Sequence, residues 1–417
     1  MPVFALAALT TTVATAASPA IRAQPRAAID VAMQPITCAS GLKRVNVRVA
    51  PGLKLIKTWT SPGSCPTTIH VATRGPSGVL WGIDSSNGLW RSTDDMRTWT
   101  RAYVAARYRA IEHALQLKSG LVLLIVYNTS GRRFILRSTN RVGTRFAKKP
   151  SFAFPFDPSK DALVPAGAPR ILSPQSWVET GQTIYVGEYG TNAPNPIYLW
   201  KSTNGGRSFK VATTFTGVRH IHSVFADPFS RNTIWVAIGD NGAQPRIGYS
   251  KDGGKTFTFV SRATYPESRA VGLLFTPRAV LWATDTPDVP AGLFRWDRNT
   301  GVVKQVLGGL NGAFYYTFQY RNSYVTFSHV GTKASDSYIG DQLIHAVTST
   351  DGSTWKSTVT PWRHNQSPDS VNRKAAIGSF TKPDRKGRFW IYFFDLAGAT
   401  RNHDYVNNFE LQFVRHG

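Results

Sequence analysis

The chain is poor in cysteine and has no long apolar run. It holds only Cys38 and Cys65, without the spacing of a CxxC motif, so neither a zinc finger nor a disulfide-rich scaffold is expected. No stretch of 18 or more apolar residues occurs, which argues against a membrane-spanning helix. Helical periodicity is almost absent, and short apolar runs alternate with turns rich in Gly and Pro. This pattern predicts an all-β protein.

Acidic residues are also few. Asp and Glu number 24 against 49 Lys and Arg, which gives a formal net charge of +25. A charge of this sign attracts anions such as acidic polysaccharide, the cell envelope or, without sequence preference, nucleic acid. Because no RNP, helix-turn-helix or zinc-finger motif accompanies the charge, the sequence predicts no specific nucleic-acid recognition.

One short phrase recurs along the chain. It combines Ser, then Asp or Asn, usually Gly, then Thr or Ser and an aromatic residue, and each copy follows an apolar run. Four good copies start at Ser92, Ser202, Ser250 and Ser349, and a looser copy starts at Ser138. Asp and Asn accept backbone N–H bonds from nearby residues and Gly accepts a positive φ, so the phrase predicts a hairpin turn. Its repetition indicates a repeat architecture with one turn in each supersecondary unit.

These phrases resemble the Asp-box, or BNR, repeats of the sialidase superfamily. In that superfamily the box joins the third and fourth strands of a β-propeller blade and lies far from the catalytic face. The resemblance covers most of the chain and implies a single β-propeller with four-stranded antiparallel blades. It gives the boxes a structural role and no chemistry.

The spacing of the copies predicts seven blades, with six as the alternative. One gap between copies has double length, and the segment 293–301 fills it as a degenerate turn. A closing blade is expected from 389–394 and 409–414, with its outer strand supplied from the N-terminal side by 53–59. Strands from both ends of the chain then close the ring and remove its exposed edges.

The predicted divisions of the chain follow from this scheme. Residues 1–24 are apolar and rich in Ala and Thr, although they lack a positive first region, and they predict a signal peptide and a secreted protein. Residues 25–66 form an arm that contributes the closing strand, and 67–417 form the propeller. One disulfide between Cys38 and Cys65 fits an exported protein, although reduced thiols fit the same sequence.

Arginines begin several of the segments that are candidates for inner strands. If the blades keep one register, these side chains converge at the mouth of the central axis as an anion-binding ring. The alternative is that each Arg pairs with a carboxylate of its own blade at the strand entry. The candidate residues are Arg109, Arg170, Arg219, Arg269 and Arg373, with His113 on the first of these segments.

Other polar residues near these arginines are candidates for acid–base chemistry. His220 and His222 are two apart, so on a strand they lie on one face, where they form a proton-transfer pair or half of a metal site. Glu188 and Tyr189 follow an apolar run that ends at Gly187, where a carboxylate needs a partner. Asp240 and Asp285 end equivalent runs in the next blades and act either in the site or as turn caps.

The resemblance to sialidases is weaker at the level of the site. Those enzymes have six blades and an Arg-Ile-Pro motif before the first box, whereas this chain offers only Arg48-Val49-Ala50-Pro51. Seven-bladed relatives include polysaccharide lyases that act on uronates. The resemblance therefore implies a carbohydrate-active enzyme acting on an acidic glycan, by hydrolysis through Glu188 and the aspartates or by β-elimination through the histidines and Tyr189.

Two other functions remain open at this stage. A non-catalytic propeller would recognise an anionic glycan or envelope partner through its basic face, and a surface-adhesion propeller would have no pocket. No cofactor is predicted, although a structural calcium ion fits the architecture. Because a closed ring protects its strand edges, we expect a monomer.

Overall fold

All regular elements among the described residues are β-strands, as the sequence predicts. The computed structural model describes residues 37–38, 41–59, 69–155, 173–190, 196–240, 242–261, 264–331, 341, 343–363, 374–394 and 407–414. In chain order the strands are β1 (Thr37–Cys38), β2 (Leu42–Ala50), β3 (Leu53–Trp59), β4 (Ile69–Arg74), β5 (Leu80–Asp84), β6 (Gly88–Ser92), β7 (Trp99–Val104), β8 (Ala110–Gln116), β9 (Val122–Tyr127), β10 (Arg133–Arg137), β11 (Phe152–Ala153), β12 (Trp177–Thr180), β13 (Thr183–Gly187), β14 (Ile197–Ser202), β15 (Lys210–Phe215), β16 (Ile221–Ala226), β17 (Ile234–Ile238), β18 (Arg246–Ser250), β19 (Thr258–Phe259), β20 (Leu274–Phe275), β21 (Ala279–Ala283), β22 (Ala291–Asp297), β23 (Val303–Leu310), β24 (Ala313–Tyr320), β25 (Ser323–Gly331), β26 (Leu343–Ser349), β27 (Lys356–Arg363), β28 (Lys374–Phe380), β29 (Arg388–Phe394) and β30 (Asn407–Phe413).

The strands form a β-propeller of seven four-stranded antiparallel blades, so the seven-bladed prediction is confirmed and the six-bladed alternative is wrong. Blades 1 to 6 follow the chain in groups of four, β4–β7, β8–β11, β12–β15, β16–β19, β20–β23 and β24–β27. Blade 7 contains β28, β29 and β30, and its outer strand is β3. Two further strands extend the outer edges of blades 1 and 7, because β1 pairs with β7 and β2 pairs with β3.

Blade 7 joins segments from opposite ends of the sequence. Strand β3 runs antiparallel to β30 with Leu53 opposite Phe413, which closes the ring. An ion pair supports this junction, because Lys57 Nζ lies 2.6 Å from the buried Glu410 Oε2. The neighbouring blade is attached as well, since Asn408 Oδ1 accepts the N–H of Val71 in β4 at 3.1 Å. The outer strand of the closing blade is thus the segment that the sequence analysis proposed.

The central strands of the blades are buried on both faces. Strands β9, β17 and β21 read as nearly continuous apolar runs, and almost every residue in them is inaccessible to solvent. Their side chains pack between neighbouring blades. One cluster, for example, joins Ile125 of blade 2 to Ile184 and Val186 of blade 3. The core is therefore a series of interfaces between blades, and it leaves the inner strands to carry polar residues near the axis.

The recurrent phrase forms the turn between the third and fourth strands of a blade. In blade 4, Ser250 Oγ donates to Asp252 Oδ1 at 2.8 Å and accepts the buried N–H of Gly254 at 2.9 Å. Asp252 Oδ1 in turn accepts the N–H of Thr256 at 3.0 Å. Gly254 adopts a φ of +83°, which a residue with a side chain rarely does. Blades 1 and 3 repeat the serine and carboxylate or amide contacts.

The degenerate copy also occupies the expected place. Asp297 lies at the end of β22, and its Oδ1 accepts the N–H groups of Asn299 and Thr300 at 3.0 and 3.1 Å. Gly301 follows with a φ of +70° before β23 begins. The turn keeps its carboxylate cap although it has lost the leading serine.

We expect Ser250→Ala to lower the free energy of unfolding by about 1–3 kcal/mol, because it leaves the buried N–H of Gly254 without its acceptor. Urea denaturation followed by tryptophan fluorescence measures the change. Lys255→Ala in the same turn is the matched control, since its side chain is exposed, and should change the value by less than about 0.5 kcal/mol. Equal effects of the two substitutions would contradict the role given to the serine.

His70 should make stability depend on pH. Its ring stacks on Tyr392 at 5.1 Å between blades 1 and 7, and burial lowers its pKa from 6.5 to about 4, partly offset by Asp84. Between pH 6.5 and pH 4 the unfolded chain binds a proton at His70 more readily than the folded chain does. The contribution of neutral His70 to the free energy of unfolding is therefore present above pH 6.5 and is lost as pH falls towards 4. The stability difference between wild type and His70→Gln should therefore shrink from pH 7.5 to pH 4.5 in urea titrations. A difference independent of pH would refute this assignment.

Candidate functional site

A polar cluster lies where inner strands begin and second strands end, on blades 3 to 5. In an antiparallel pair these two points are adjacent, and the isolated bridge between Ala270 and Thr284 extends such a pair in blade 5. A second isolated bridge, between Tyr189 and His220, joins blade 3 to blade 4. The predicted residues after β13, β17 and β21 therefore reach the same end of the ring. We call the group formed by His220, His222, Asp240, Arg219 and Arg269 the histidine–aspartate cluster.

The two histidines meet directly. Both are buried, with 0% and 2% exposure, and their Nε2 atoms lie 2.6 Å apart. On a regular strand, the Cα atoms of residues i and i+2 lie about 6.6 Å apart. Here the pairing of β16 with β17 skips from Ile221 to Ser223, which makes His222 the extra residue of a β-bulge. Such a bulge changes the direction of a side chain, and bulges are common next to active sites.

Backbone carbonyls fix the orientation of both rings. His220 Nδ1 lies 2.9 Å from Gly190 O, and His222 Nδ1 lies 2.7 Å from Ala270 O. A carbonyl oxygen only accepts, so each Nδ1 carries a proton and donates it. In the neutral form of each ring Nε2 is then an unprotonated acceptor. Two such nitrogens repel at 2.6 Å, and a cation shared between them, either a proton or a metal ion, removes the repulsion.

Asp240 provides the matching negative charge. Its Oδ1 lies 3.8 Å from the Nε2 atoms of both histidines. Arg219 Nη1 donates to its Oδ2 at 2.7 Å, and Arg269 Nη2 lies 2.9 Å from its Oδ1. Arg269 also donates from Nε to Asp285 Oδ2 at 3.1 Å, so its guanidinium joins Asp240 of blade 4 to Asp285 of blade 5. Two guanidinium groups and two carboxylates thus balance one another beside the imidazole pair.

The protonation states follow from burial and from these neighbours. Burial, followed by the charge of His220, lowers the pKa of His222 from 6.5 to about 3, so the two rings do not both become cations. For Asp240, burial acts to raise the pKa. The neighbouring His220 and His222 rings and the charge of Arg269 outweigh it and hold the pKa of Asp240 well below the usual range. Asp240 is therefore a carboxylate at any physiological pH.

Glu188 and Tyr189 differ in their availability. Glu188 is 2% exposed, and its Oε2 accepts the N–H of Tyr198 at 2.9 Å. Tyr189 is half-buried, and its ring stacks on His220 with centroids 4.0 Å apart. The structure therefore joins Tyr189 to the histidine–aspartate cluster through the aromatic stack, whereas the Glu188 carboxylate caps the neighbouring strand β14.

A residue that the sequence analysis missed lies beside the histidine–aspartate cluster. Tyr315 on β24, the inner strand of blade 6, interacts electrostatically with Asp285 and Arg269. Burial and then Asp285 raise its pKa well above the usual value, so it is a neutral phenol and a hydrogen-bond donor. The sequence around Tyr315 has the aromatic pattern of a core strand. The one feature that could have indicated a site residue is its place near the start of an inner strand.

The other predicted anion-binding residues lie elsewhere or outside the described residues. Arg109 precedes β8 and is exposed, and His113 lies within β8, the inner strand of blade 2. Arg170, Arg373 and Cys65 fall outside the described residues, as do the predicted signal peptide and the side chain of Cys38. The ion pairs of Arg219 and Arg269 match the strand-entry alternative, but one third of the Arg219 side chain is exposed and accessible to an anion.

No protein-family model and no curated protein matches the chain. Membership of the sialidase superfamily therefore stays a prediction, although the turns form where that resemblance implies. Among the described residues, no helix of the length and hydropathy needed to cross a membrane is present.

Solved structures share the fold at low sequence identity. A GH74 enzyme from Niastella koreensis is 18% identical over 80% of this chain and 53% of its own, with a TM-score of 0.51. An oligogalacturonate lyase in complex with manganese is 10% identical over 91% of this chain and 98% of its own, with a TM-score of 0.55. An extracellular domain from B. thetaiotaomicron is 14% identical over 88% of this chain and 39% of its own, with a TM-score of 0.50.

These similarities concern the β-propeller fold alone. The chain spans about half the length of the GH74 enzyme and about two fifths of the B. thetaiotaomicron domain. A propeller supports enzymes and binding proteins alike, so function has to be argued from the cluster itself.

We expect Asp240→Ala to lower the free energy of unfolding by about 3–5 kcal/mol, because it breaks the ion pair with the largely buried Arg269 and removes the carboxylate beside the buried imidazole pair. Arg219→Ala should cost less than about 1 kcal/mol, since that side chain is one third exposed. Urea unfolding of both variants measures the two values. Equal losses would mean that Arg219 is as structural as Asp240.

Proposed function

We propose that the protein is an enzyme that acts on an acidic glycan outside the cell, and that it cleaves the glycan by β-elimination. The observation that carries the proposal is the buried histidine–aspartate cluster beside the half-buried Tyr189 and the partly exposed Arg219. Burying this many ionisable groups costs folding free energy, and such groups concentrate at functional sites. The net charge of +25 favours an anionic substrate.

The ionisation and the pairing of the carboxylates favour elimination over hydrolysis. Glycoside hydrolysis uses a carboxylic acid that is still protonated at working pH, together with a second carboxylate. Asp240 is held ionised, and Asp285 is engaged with Arg269. Glu188 accepts a backbone N–H through Oε2. These three carboxylates, which the sequence analysis proposed for hydrolysis, thus pair with cations or cap a strand.

Elimination from a uronate needs cations at the carboxylate and a proton-transfer group. Arg219 would hold the sugar carboxylate, and the cation shared by the histidines would steady the charge that develops when the neighbouring C–H bond breaks. Tyr189 would take that proton as the phenolate and, as the resulting phenol, donate it to the leaving oxygen as the C–O bond breaks, which leaves a conjugated double bond and regenerates the phenolate. The histidines then support the transfer instead of acting as the base.

A non-catalytic binding propeller is the second candidate, and one observation favours it. The two imidazoles are almost fully buried, and Arg269 is already paired with two carboxylates. A binding protein needs only the exposed parts of Arg219 and the basic surface to hold an anionic glycan or envelope partner. Both functions share the same partner class and the same extracytoplasmic location. We propose that the protein is a monomer.

Two fold neighbours bear on the carbohydrate proposal. The GH74 enzyme and the oligogalacturonate lyase are carbohydrate-related propellers by name. At 18% and 10% identity they support the architecture and leave the substrate to experiment.

We expect uronate-containing polysaccharides to yield both new reducing ends and new ultraviolet absorbance, the signature of the conjugated double bond that elimination leaves. Neutral and sialylated glycans serve as substrate controls. Reducing ends without absorbance would indicate hydrolysis. Binding to acidic glycans with neither signal would favour the second candidate and overturn the enzymatic proposal.

We expect Arg219→Ala to reduce cleavage by at least about 100-fold while its melting temperature stays close to wild type, because the exposed guanidinium holds the substrate charge. Arg231→Ala is the matched control, since Arg231 is exposed in the turn at the opposite end of blade 4 and carries the same charge. Tyr189→Phe should lose about 100-fold or more in kcat. Equal activity of the Arg219 and Arg231 variants would remove Arg219 from the site.

A further inference from the structure

We propose that His220 Nε2, His222 Nε2 and Asp240 Oδ1 bind a divalent transition-metal ion of the zinc class. The three atoms lie within 4.8 Å of one another, and all three residues are buried. The proposal concerns the occupant of the space between the imidazoles. It stands on coordination geometry, so it does not rest on the glycan substrate or on the reaction proposed above.

The orientation of the rings is that of metal ligands. A metal-bound histidine usually donates its second ring N–H to a carbonyl or carboxylate, which fixes the tautomer and directs the other nitrogen at the ion. Gly190 O and Ala270 O accept these bonds from the two Nδ1 atoms. The acceptors come from different blades, on either side of β16. The two rings are therefore preorganised with both Nε2 atoms directed at one point.

The distances allow an ion with a small adjustment. Zinc binds imidazole nitrogen at about 2.0–2.1 Å, so two such nitrogens at a tetrahedral angle lie roughly 3.3 Å apart. The Nε2 atoms are 2.6 Å apart, and each is 3.8 Å from Asp240 Oδ1. Opening the imidazole pair by less than about 1 Å thus gives a three-ligand site with room for water or an anionic group as the fourth ligand.

The ligand types select the metal. Two imidazole nitrogens and one carboxylate oxygen suit Zn²⁺, Ni²⁺, Co²⁺ or Mn²⁺, whereas Ca²⁺ prefers six to eight oxygen ligands. The calcium ion that the architecture allowed is therefore not the ion expected in this cluster. Arg269 Nη2 also lies 2.9 Å from Asp240 Oδ1, and its charge should make the site weaker than a closed four-ligand site.

A shared proton is the competing occupant. One proton between the two Nε2 atoms would give an imidazole–imidazolium pair at the same distance, with Asp240 as counter-ion. Experiment can distinguish the metal ion from the shared proton. The affinity for a metal ion depends on all three ligands, and a bound metal atom can be counted.

The test uses the full chain, treated with a chelator, dialysed and titrated with Zn²⁺, Co²⁺, Mn²⁺ and Ca²⁺ by isothermal titration calorimetry. We expect one equivalent of Zn²⁺ or Co²⁺ to bind and raise the melting temperature, with Ca²⁺ having no such effect. Bound Co²⁺ should show the visible absorption of a low-coordinate nitrogen and oxygen site. Metal content after dialysis, measured by mass spectrometry, counts the bound ion.

Substitutions then locate the ion. His222→Gln and, as a milder change, Asp240→Asn should each lower affinity by more than the 10–100-fold that outer-shell changes typically cost. His70→Gln on β4 is the control, since it removes a histidine from blade 1 and should leave binding unchanged. Circular dichroism establishes whether each variant is folded. Zn²⁺ and Co²⁺ binding that survives both ligand substitutions would overturn the proposal.

A second result would also overturn it. If wild type binds none of the transition-metal ions at millimolar concentration, and a far-downfield imidazole N–H resonance disappears in His222→Gln, the occupant is the shared proton. Because these readouts involve no glycan, a failure here is distinct from a failure of the proposed enzymatic activity.

Discussion

Antiparallel pairing between β3 and β30 closes the ring, and the remaining architecture depends on it. Each blade buries its apolar faces only against its neighbours, so an open array would leave the outer faces of its two terminal blades and several strand edges exposed. The junction combines backbone pairing with the buried Lys57–Glu410 ion pair and the Asn408 contact to Val71. Closure also sets the angle at which successive inner strands approach the axis. That angle brings residues of separate blades within hydrogen-bonding distance.

The histidine–aspartate cluster is a product of this arrangement. Its carbonyl acceptors come from Gly190 of blade 3 and Ala270 of blade 5, while the imidazoles belong to blade 4. Arg269 connects the carboxylates of two blades. Because the charges nearly cancel within the cluster, its burial is tolerated, and Arg219 and the half-buried Tyr189 extend towards solvent. A rigid, internally neutral polar group with two accessible side chains suits either catalysis or the recognition of an anion.

Much of the fold could be predicted because its determinants are local. A turn such as Ser250 to Thr256 is specified by hydrogen bonds between residues a few positions apart, and a doubly buried strand such as β17 is visible as an apolar run. The site was predictable only in part. The sequence placed His220 and His222 at the start of an inner strand and Asp240 at the end of a second strand, but Tyr315 was missed because its segment has the pattern of a core strand.

Spacing along the chain was enough to predict the all-β class, the repeated turn and the candidate residues, and it favoured seven blades over six. Which of those residues meet follows from the folded arrangement of the blades. A β-bulge at His222 and carbonyls from two neighbouring blades direct both imidazoles to one point, and Arg269 selects Asp240 and Asp285 as partners. These contacts join segments far apart in the sequence, so they depend on how the blades pack and close, a property that local patterns do not encode.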